Sequence, residues 1–347
     1  MTPLLELRNV TKTFQRGLIN RQQTVALEDF SFVVNTEPAS ITAVVGESGS
    51  GKTTLARLLL GVAAPSAGSV LYNGKDLSTL TALERRTFRR EVQVIFQDPF
   101  DVYNPFYKVD HVLEVPIDKF GLAHSREEKG ALVEQALKTV GLRPEETLGR
   151  YPHQLSGGQR QRIMVARALL LKPKLIIADE PASMIDASSR ATVLANLRQL
   201  NQEFGISFIY ITHDLTTAYQ ISQNIIVLYA GSVAEMGDVE LVVNQPHHPY
   251  TKLLIGSIPL PDPTRHWNPD AQSAQAMVAA PTSVGCKFAA RCPYVMPKCR
   301  TTVPPLYRSS PSRFTACFLY ETSAAVSGAE IAHAFANSPS PASAQPS

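Results

Sequence analysis

The apolar positions of this chain form short runs separated by polar breaks, and their spacing changes along the sequence. Runs rich in apolar and β-branched residues predict strands at 4–7, 26–34, 41–45, 69–72, 92–96, 175–179, 206–212 and 225–229. Helical spacing and glycine terminators predict helices at 53–60, 82–92 and 188–204, and several more across 104–170. Strands that alternate with helices predict an α/β domain with a mostly parallel sheet, and 104–170 is an inserted helical subdomain.

The pattern changes after about residue 245, where prolines become frequent and regular spacing is lost. We therefore predict one large domain over 1–240, with its helical subdomain at about 98–170. A small C-terminal domain is predicted at 241–320. The remaining residues, 321–347, are rich in Ala, Ser and Pro, which predicts a disordered tail.

Composition narrows the functional classes. The chain has 347 residues and a net charge of +3, which is too small by itself to indicate nucleic-acid binding. No apolar run approaches the ~18–20 residues of a membrane span, and Met1–Glu6 has no secretory pattern. We expect the protein in the cytosol, tethered by another chain if it works at a membrane.

The clearest chemical motif is the segment Gly46–Thr53, which reads Gly-Glu-Ser-Gly-Ser-Gly-Lys-Thr between a predicted strand and a predicted helix. Its glycines let successive backbone N–H groups face a phosphate, and the helix N-terminus adds favourable dipole charge. Lys52 is expected to reach the β- and γ-phosphates, and the Thr53 hydroxyl to bind Mg²⁺. The predicted ATP contacts are Gly46, Glu47, Ser48, Gly49, Ser50, Gly51, Lys52, Thr53 and Thr54.

Polar side chains follow three of the predicted strands. The apolar strand at 175–180 ends in two carboxylates, Asp179 and Glu180. Asp179 would hold Mg²⁺ through water, and Glu180 would act as general base. His213 closes the next strand and either contacts the γ-phosphate or is structural. Gln97 follows 92–96, and it either binds Mg²⁺ or the attacking water or simply faces solvent.

Together these residues resemble the nucleotide-binding subunits of ABC transporters. The match includes Leu155-Ser156-Gly157-Gly158-Gln159 as the signature and 175–180 as the Walker B strand. It also includes Gln97 as the Q-loop, Ser183–Asp186 as the D-loop and His213 as the switch. The resemblance implies an ABC-type P-loop NTPase: a RecA-like parallel core, an antiparallel β subdomain and a helical subdomain. It also implies that Phe14 stacks on adenine, although a core or edge-strand Phe is the alternative.

The signature adds a second anion site. Ser156, Gly157, Gly158 and Gln159 lie just before an apolar helix predicted at 161–171, and a glycine-bearing helix N-terminus binds anions. The chain already has one phosphate loop, so this second site is expected to serve a partner's ATP. Two chains facing head to tail would then bury two nucleotides, and loss of the γ-phosphate would open the dimer.

The C-terminal part narrows the resemblance. Pro246–Thr251 and Ile258–Pro263 resemble the branch of importers for oligopeptides, dipeptides and nickel, and the chain looks most like its F-type ATPase. This implies a D-type partner ATPase, two permease subunits, a substrate-binding protein, no nucleic acid, and a place at the cytoplasmic face of the membrane. Nickel or oligosaccharides are the alternative cargoes, and a soluble non-transport ABC ATPase is the alternative class.

All four cysteines lie between Cys286 and Cys317, with spacing C-x5-C-x6-C-x17-C. The same family extension can hold a [4Fe–4S] cluster, which implies Cys286, Cys292, Cys299 and Cys317 as ligands. The absence of a C-x2-C pair favours iron–sulfur over zinc. Disulfides or free thiols remain the alternatives.

Two segments depart from the family pattern. Residues 35–40 replace the usual Gly-Glu turn, and 100–105 differ from the usual Ser-Leu-Asn-Pro. The second lies where importers dock a helix of the membrane subunit, so it is a candidate mark of an unusual partner or cargo.

Overall fold

The computed structural model describes residues 2–16, 22–98, 103–258, 282, 284–327 and 330. Its strands are β1 (Leu5–Arg16), β2 (Gln22–Val34), β3 (Ile41–Val45), β4 (Ala67–Tyr72), β5 (Lys75–Asp76), β6 (Val92–Ile95), β7 (Leu175–Asp179), β8 (Ser207–Thr212), β9 (Asn224–Tyr229), β10 (Ser232–Asp238), β11 (Tyr307–Ser310) and β12 (Arg313–Thr315). Its helices are α1 (Lys52–Leu59), α2 (Ala82–Glu91), α3 (Val109–Phe120), α4 (Arg126–Thr139), α5 (Pro144–Thr147), α6 (Gly157–Leu169), α7 (Ala187–Phe204), α8 (Leu215–Ile221), α9 (Val239–Asn244) and α10 (Pro249–Gly256).

Several sequence predictions fall outside this range. They concern most of the predicted tail, most of the Ile258–Pro263 match, and the first three residues of the departure at 100–105. Within the described residues, no helix is long and apolar enough to cross a membrane.

The chain divides into two compact units. The first unit comprises Met1–Val34, Thr42–Asp76 and His213–Ser347, and the second comprises Asn35–Ile41 and Leu77–Thr212. The phosphate-binding loop belongs to the first unit. The Q-loop, signature, Walker B strand and D-loop belong to the second.

The first unit contains two groups of paired strands. One is an antiparallel sheet in the order β2-β1-β4-β5. In the other, β3 pairs with β9 in parallel, and β10, β12 and β11 continue from β9 by antiparallel pairing. Strand β3 is buried along its whole length, as its unbroken apolar run predicts. The phosphate-binding loop leaves directly from its C-terminal end.

The strands of this unit that follow β9, namely β10, β11 and β12, were not predicted from the sequence. Their pattern is masked by charged residues: Glu235 and Arg313 are buried on β10 and β12, with a nitrogen-to-oxygen distance of 4.0 Å. A charged side chain can be buried where an oppositely charged partner offsets its desolvation. The charged residues of these strands were therefore misleading as signs of exposed positions. The sequence predicted no individual helices or strands after residue 245, whereas the structure has α10, β11 and β12 there. The boundary predicted near residue 240 stays a prediction, and the strands before and after it pair with each other.

The second unit is built on the parallel strands β6, β7 and β8. Helices α3 to α6 lie between β6 and β7 in the chain, as the helical insertion predicts, and α3 and α4 pack on α6. Their buried residues include Leu113, Ile117, Leu137 and Ile163, which form an apolar interior. Helix α7 connects β7 to β8 and ends at Gly205, whose φ of 65° is in the left-handed region that terminates helices.

Two predicted helix starts were late. Helix α6 begins at Gly157 and not at 161, because Ser156 caps it and both signature glycines belong to its first turn. Helix α7 begins at Ala187, because the Asp186 side chain is its N-cap. In both cases the capping side chain fixes the first turn before the apolar spacing starts.

Candidate nucleotide site

The phosphate-binding loop is closed on itself in the first unit. The Lys52 ammonium donates hydrogen bonds to the carbonyls of Gly46, at 2.7 Å, and Glu47, at 3.0 Å. Its side chain is almost fully buried. Gly51 precedes α1 with φ of 106°, and a Cβ there would lie 2.3 Å from the Ala26 carbonyl oxygen. No other residue fits that position, so glycine is required by space as well as by backbone angle.

The remaining loop residues differ in access. Ser48, Gly49 and Thr53 are exposed, Thr54 is half-buried, and Ser50 is buried. The exposed Thr53 hydroxyl, in the first turn of α1, is available to a ligand. Phe14 on β1 is 43% exposed, with the Lys12 ammonium 5.2 Å from its ring centroid. This exposed aromatic face can stack on a flat ring, and Phe14 is not a core residue.

Gln97 and Glu180 meet in the second unit. The Gln97 side-chain amide donates a hydrogen bond of 2.9 Å to the Glu180 carboxylate. Glu180 has φ of 47°, which is unusual for a residue with a side chain. Its backbone N–H is held by the Ile211 carbonyl at 2.8 Å. Such strained positions concentrate at functional sites, and this one directs the carboxylate toward the Q-loop.

The signature forms a capping box. The Ser156 hydroxyl accepts from the Gln159 N–H at 3.2 Å, and the Gln159 side chain accepts from the Ser156 N–H at 2.9 Å. Gly158 is buried, and a Cβ there would lie 2.7 Å from the Cβ and Oγ of Ser189. Gly158 therefore lets two helices approach, in addition to any part in binding an anion.

The D-loop adjoins the signature. Gly157 faces Ile185, since a Cβ on Gly157 would lie 3.4 Å from the Ile185 Cγ2. The next residue, Asp186, accepts hydrogen bonds from the Ser188 hydroxyl at 2.7 Å and the Ser189 N–H at 2.9 Å. These bonds, that from Ser188 foremost, hold the pKa of Asp186 well below its usual range. Asp186 is thus a negatively charged cap of α7, and the residues that lie against the signature glycines, Ile185 and Ser189, are close to it in sequence.

Two residues of this region were missed by sequence reasoning. Arg160 is buried, and its guanidinium donates to the Leu155 carbonyl at 2.9 and 3.1 Å, which closes the loop before α6. The Tyr103 hydroxyl donates to the Arg160 carbonyl at 2.7 Å. Burial raises the pKa of Tyr103, so it stays a neutral donor. A basic residue directly after the signature was the available signal for Arg160, but Tyr103 was noted only as part of the departure at 100–105.

His213 follows β8 directly and is exposed. Asp214 caps α8, accepting from the Thr216 N–H at 2.9 Å. The exposed imidazole is therefore held at the start of a capped turn and is not part of the interior.

The chain matches known proteins over nearly its whole length. Residues 27–183 match the ABC transporter family, and residues 234–299 match the oligopeptide/dipeptide transporter C-terminal region. DppF of Pseudomonas aeruginosa (strain UCBPP-PA14), named as a di/tripeptide transport ATP-binding protein, is 40% identical over 324 residues, which are 91% of this chain and 98% of DppF. This chain belongs to the ATP-binding subunits of oligopeptide and dipeptide ABC transporters.

Other comparisons agree with this assignment. YkfD of Bacillus subtilis (strain 168) is 39% identical over 321 residues, which are 92% of this chain and 96% of YkfD. Among solved structures, the ATP-binding cassette MJ0796 superposes with a TM-score of 0.60 at 30% identity, over 68% of this chain and 98% of that one. The importer ATPase therefore has the ABC-type P-loop NTPase fold, and it hydrolyses ATP to power peptide import. The predicted family and activity are confirmed, and so is the ABC-type P-loop fold with its C-terminal oligopeptide-transporter region. The small Cys-containing C-terminal domain stays a prediction.

The four cysteines of the importer ATPase are free thiols. Burial raises the pKa of Cys286 and Cys292, and raises that of Cys317 to about 11, with smaller contributions from the other three thiols. However, the described residues, which include all four cysteines, contain no group of three or more His, Cys, Asp or Glu placed to hold a metal. As arranged here, the thiols do not fit the predicted iron–sulfur cluster.

Proposed function

We propose that the chain supplies half of a two-ATPase motor, in which its phosphate-binding loop and its signature serve two different ATP molecules. One observation carries the proposal: the chain builds two glycine-bearing helix N-termini suited to phosphate, one at α1 after the phosphate-binding loop and one at α6 after Ser156. Ser156, which caps α6, is exposed. The similar cassette MJ0796 was solved as a dimer bound to ADP and Pi.

The roles proposed for individual residues follow from their chemistry. Lys52 would leave the carbonyls of its own loop to hold the β- and γ-phosphates. Glu180 would take the proton of the attacking water, and its bond with Gln97 would orient the carboxylate. His213, exposed after β8, would contact the γ-phosphate. Phe14 would stack on the adenine ring.

Thr53, Asp179 and Gln97 are the proposed Mg²⁺ ligands. They supply hydroxyl, carboxylate and amide oxygens, which are the hard donors that Mg²⁺ prefers, and Thr53 is exposed where α1 begins. When bound, Mg²⁺ would neutralise charge that develops on the phosphate oxygens.

The proposed partners are a D-type ATPase, two permease subunits and a substrate-binding protein, with the chain held at the cytoplasmic membrane face by the permeases. A groove of about 390 Å³ in the second unit supports a permease contact. It is lined by the segment after the Q-loop and by α3, including Tyr103, Tyr107, His111 and Phe120. Tyr103 joins this groove to the signature helix through Arg160, so a docked segment could act on the signature.

We also propose that the four cysteines can bind a [4Fe–4S] cluster, with zinc as the alternative. Its support is the presence of four free thiols within one short segment. Because the thiols of the described residues are not arranged as a metal-binding set, loading would require them to move.

The two-site proposal is tested by disabling each half separately. Lys52→Ala is expected to abolish ATP binding by the purified chain. Ser156→Arg is expected to leave that binding intact, and to abolish turnover once the chain is assembled with its paired ATPase and permeases in vesicles. If Ser156→Arg also removed ATP binding by the single chain, signature and loop would serve one nucleotide and the proposal would be wrong. Uptake of labelled dipeptides and oligopeptides by the same vesicles shows which peptides are carried.

A further inference from the structure

We propose that Arg291 and Tyr250 are positioning residues for the phosphate-binding loop, and that through them the C-terminal cysteine segment sets the affinity of this chain for ATP. The proposal rests on the proposed function, since it takes Gly46–Thr53 to be the nucleotide loop. It concerns the first unit alone, to which all of these residues belong.

Arg291 holds the loop through a side chain. Its guanidinium donates two hydrogen bonds to the Glu47 carboxylate, at 2.9 and 2.8 Å. The two nitrogens reach the two different carboxylate oxygens, which is the bidentate geometry that makes arginine–carboxylate pairs strong and directional. The Arg291 side chain is only 6% exposed, whereas that of Glu47 is 41% exposed. The pair is therefore anchored from the cysteine segment and reaches out to the second residue of the loop.

Aromatic rings fix the direction of the guanidinium. Its central carbon lies 5.6 Å from the Tyr229 ring centroid and 5.4 Å from that of Phe288. Tyr229, Phe288 and Tyr250 also contact one another, with centroids 4.6 to 5.6 Å apart. Arg291 is thus seated on packed rings and can present both nitrogens to Glu47 with little loss of side-chain entropy.

Tyr250 holds the loop through its backbone. Its hydroxyl accepts a hydrogen bond of 2.9 Å from the Glu47 N–H, and the residue is fully buried. Because this N–H is engaged, Glu47 is fixed from both its backbone and its side chain. The carbonyls of Gly46 and Glu47, which hold Lys52, belong to the same short stretch.

The support behind Tyr250 is itself rigid. The His248 side chain caps α10, accepting from the Tyr250 N–H at 3.0 Å. The buried Glu235 carboxylate accepts from the N–H groups of His247 and His248, the shortest bond being 2.8 Å. The His-Pro-Tyr-Thr segment therefore has a defined task in this structure, which is to place one hydroxyl against the phosphate-binding loop.

The cysteine segment is connected to the loop through the same pair. Arg291 immediately precedes Cys292, and the N–H of Cys286 donates to the Cys299 carbonyl at 2.7 Å, which folds the segment on itself. Coupling between two sites is reciprocal. If the segment positions the loop for ATP, bound ATP must in turn stabilise the segment.

The experiment measures ATP affinity of the full-length chain by calorimetry and KM and kcat in the assembled importer. Arg291→Met and Glu47→Gln are each expected to weaken ATP binding about tenfold. In the assembled importer the change should be a rise in KM more than a fall in kcat. The double variant is expected to bind no more weakly than either single variant, because both remove one interaction. Arg291→Lys, which keeps the charge but not the bidentate geometry, should give an intermediate loss, and Tyr250→Phe a smaller one.

Lys298→Met is the matched control. Lys298 lies in the same segment beside Cys299 and pairs with Glu321, not with the loop. It should leave ATP affinity unchanged. Hydrogen exchange of residues 286–300 should slow when ATP binds to the wild-type chain and not when it binds to Arg291→Met.

The outcomes separate this inference from the proposed function. If folded Arg291→Met bound ATP like the wild type, or if Lys298→Met weakened binding equally, the positioning role would be wrong and the proposed function would stand. If the wild-type chain bound no ATP, both would fail.

Discussion

Gln97 donates a hydrogen bond of 2.9 Å to the carboxylate of Glu180. This bond joins the Q-loop, which follows β6, to the acidic end of the Walker B strand. The bond occupies one oxygen of a carboxylate whose backbone is already in a strained conformation, with φ of 47°. The Q-loop and the proposed general base therefore separate only if this bond breaks. A displacement of the Q-loop would change how Glu180 meets a water molecule.

Glu180→Gln is expected to lower ATP turnover by about 100-fold or more, because an amide cannot accept a proton from water. ATP binding should persist, so the variant should accumulate as an ATP-bound dimer with its partner. Steady-state phosphate release and size-exclusion chromatography with ATP measure the two effects. Glu203→Gln makes the same chemical change at an exposed position on α7 and should behave like the wild type. Turnover of Glu180→Gln at the wild-type rate would show that another group is the base.

Gly158→Ala is expected to destabilise the protein by about 1–3 kcal/mol, since the added Cβ would lie 2.7 Å from Ser189. The double variant Gly158→Ala/Ser189→Gly should recover most of that loss once the separate cost of Ser189→Gly is subtracted. Urea unfolding measures stability, and ATP turnover of the double variant tells whether the glycine is also needed at the anion site. Equal stability of Gly158→Ala and wild type would show that α6 and α7 do not pack as described.

The local motifs were the most predictable part of the molecule. Gly46–Thr53 follows from a strand, a glycine loop and a helix that are contiguous in sequence, and the apolar runs of β3, β7 and β8 identify buried parallel strands. The helix starts at α6 and α7 were missed because capping by Ser156 and Asp186 is a side-chain effect that precedes the apolar pattern.

The long-range contacts could not be predicted from one sequence. Glu47 and Arg291 are 244 positions apart, and nothing in the local pattern of either segment indicates the other. Glu235 and Arg313 had the composition of surface residues, yet they are buried in neighbouring strands. Charged residues are informative about surfaces only where no partner compensates their burial, and the partner comes from the fold.

The cysteine segment predicts different results for iron, zinc and free thiols. If the [4Fe–4S] proposal is right, anaerobically purified protein should contain iron and absorb light at about 400 nm. Cys299→Ser should remove both the iron and the absorbance. Zinc without absorbance would favour a zinc site, and four titratable thiols without metal would favour the arrangement seen here. Metal analysis and thiol titration on the same preparation distinguish the three results.

The His-Pro-Tyr-Thr segment predicts a loss of stability in mild acid. Burial lowers the pKa of His248 to about 4, below the ordinary value of 6.5. Between these values the unfolded chain binds a proton that the folded chain excludes, so stability is lost as pH falls from about 6.5 to about 4. The contribution of His248 is at most about 1.4 kcal/mol per pH unit. Burial also lowers the pKa of His247 to about 4, which adds to the loss of stability in acid. Burial raises the pKa of Glu235, and this shift favours the folded state as pH falls.

The matched variant isolates this one histidine. His248→Asn keeps a side chain that can cap α10, because asparagine is a favoured N-cap residue, but it carries no titratable group. Urea unfolding gives the free energy of unfolding of wild type and of His248→Asn between about pH 4.5 and pH 7. The gap between the two free energies should narrow, or reverse in favour of the variant, as pH falls. A gap independent of pH would mean that His248 titrates normally and that the N–H of Tyr250 is not held by a neutral, buried cap.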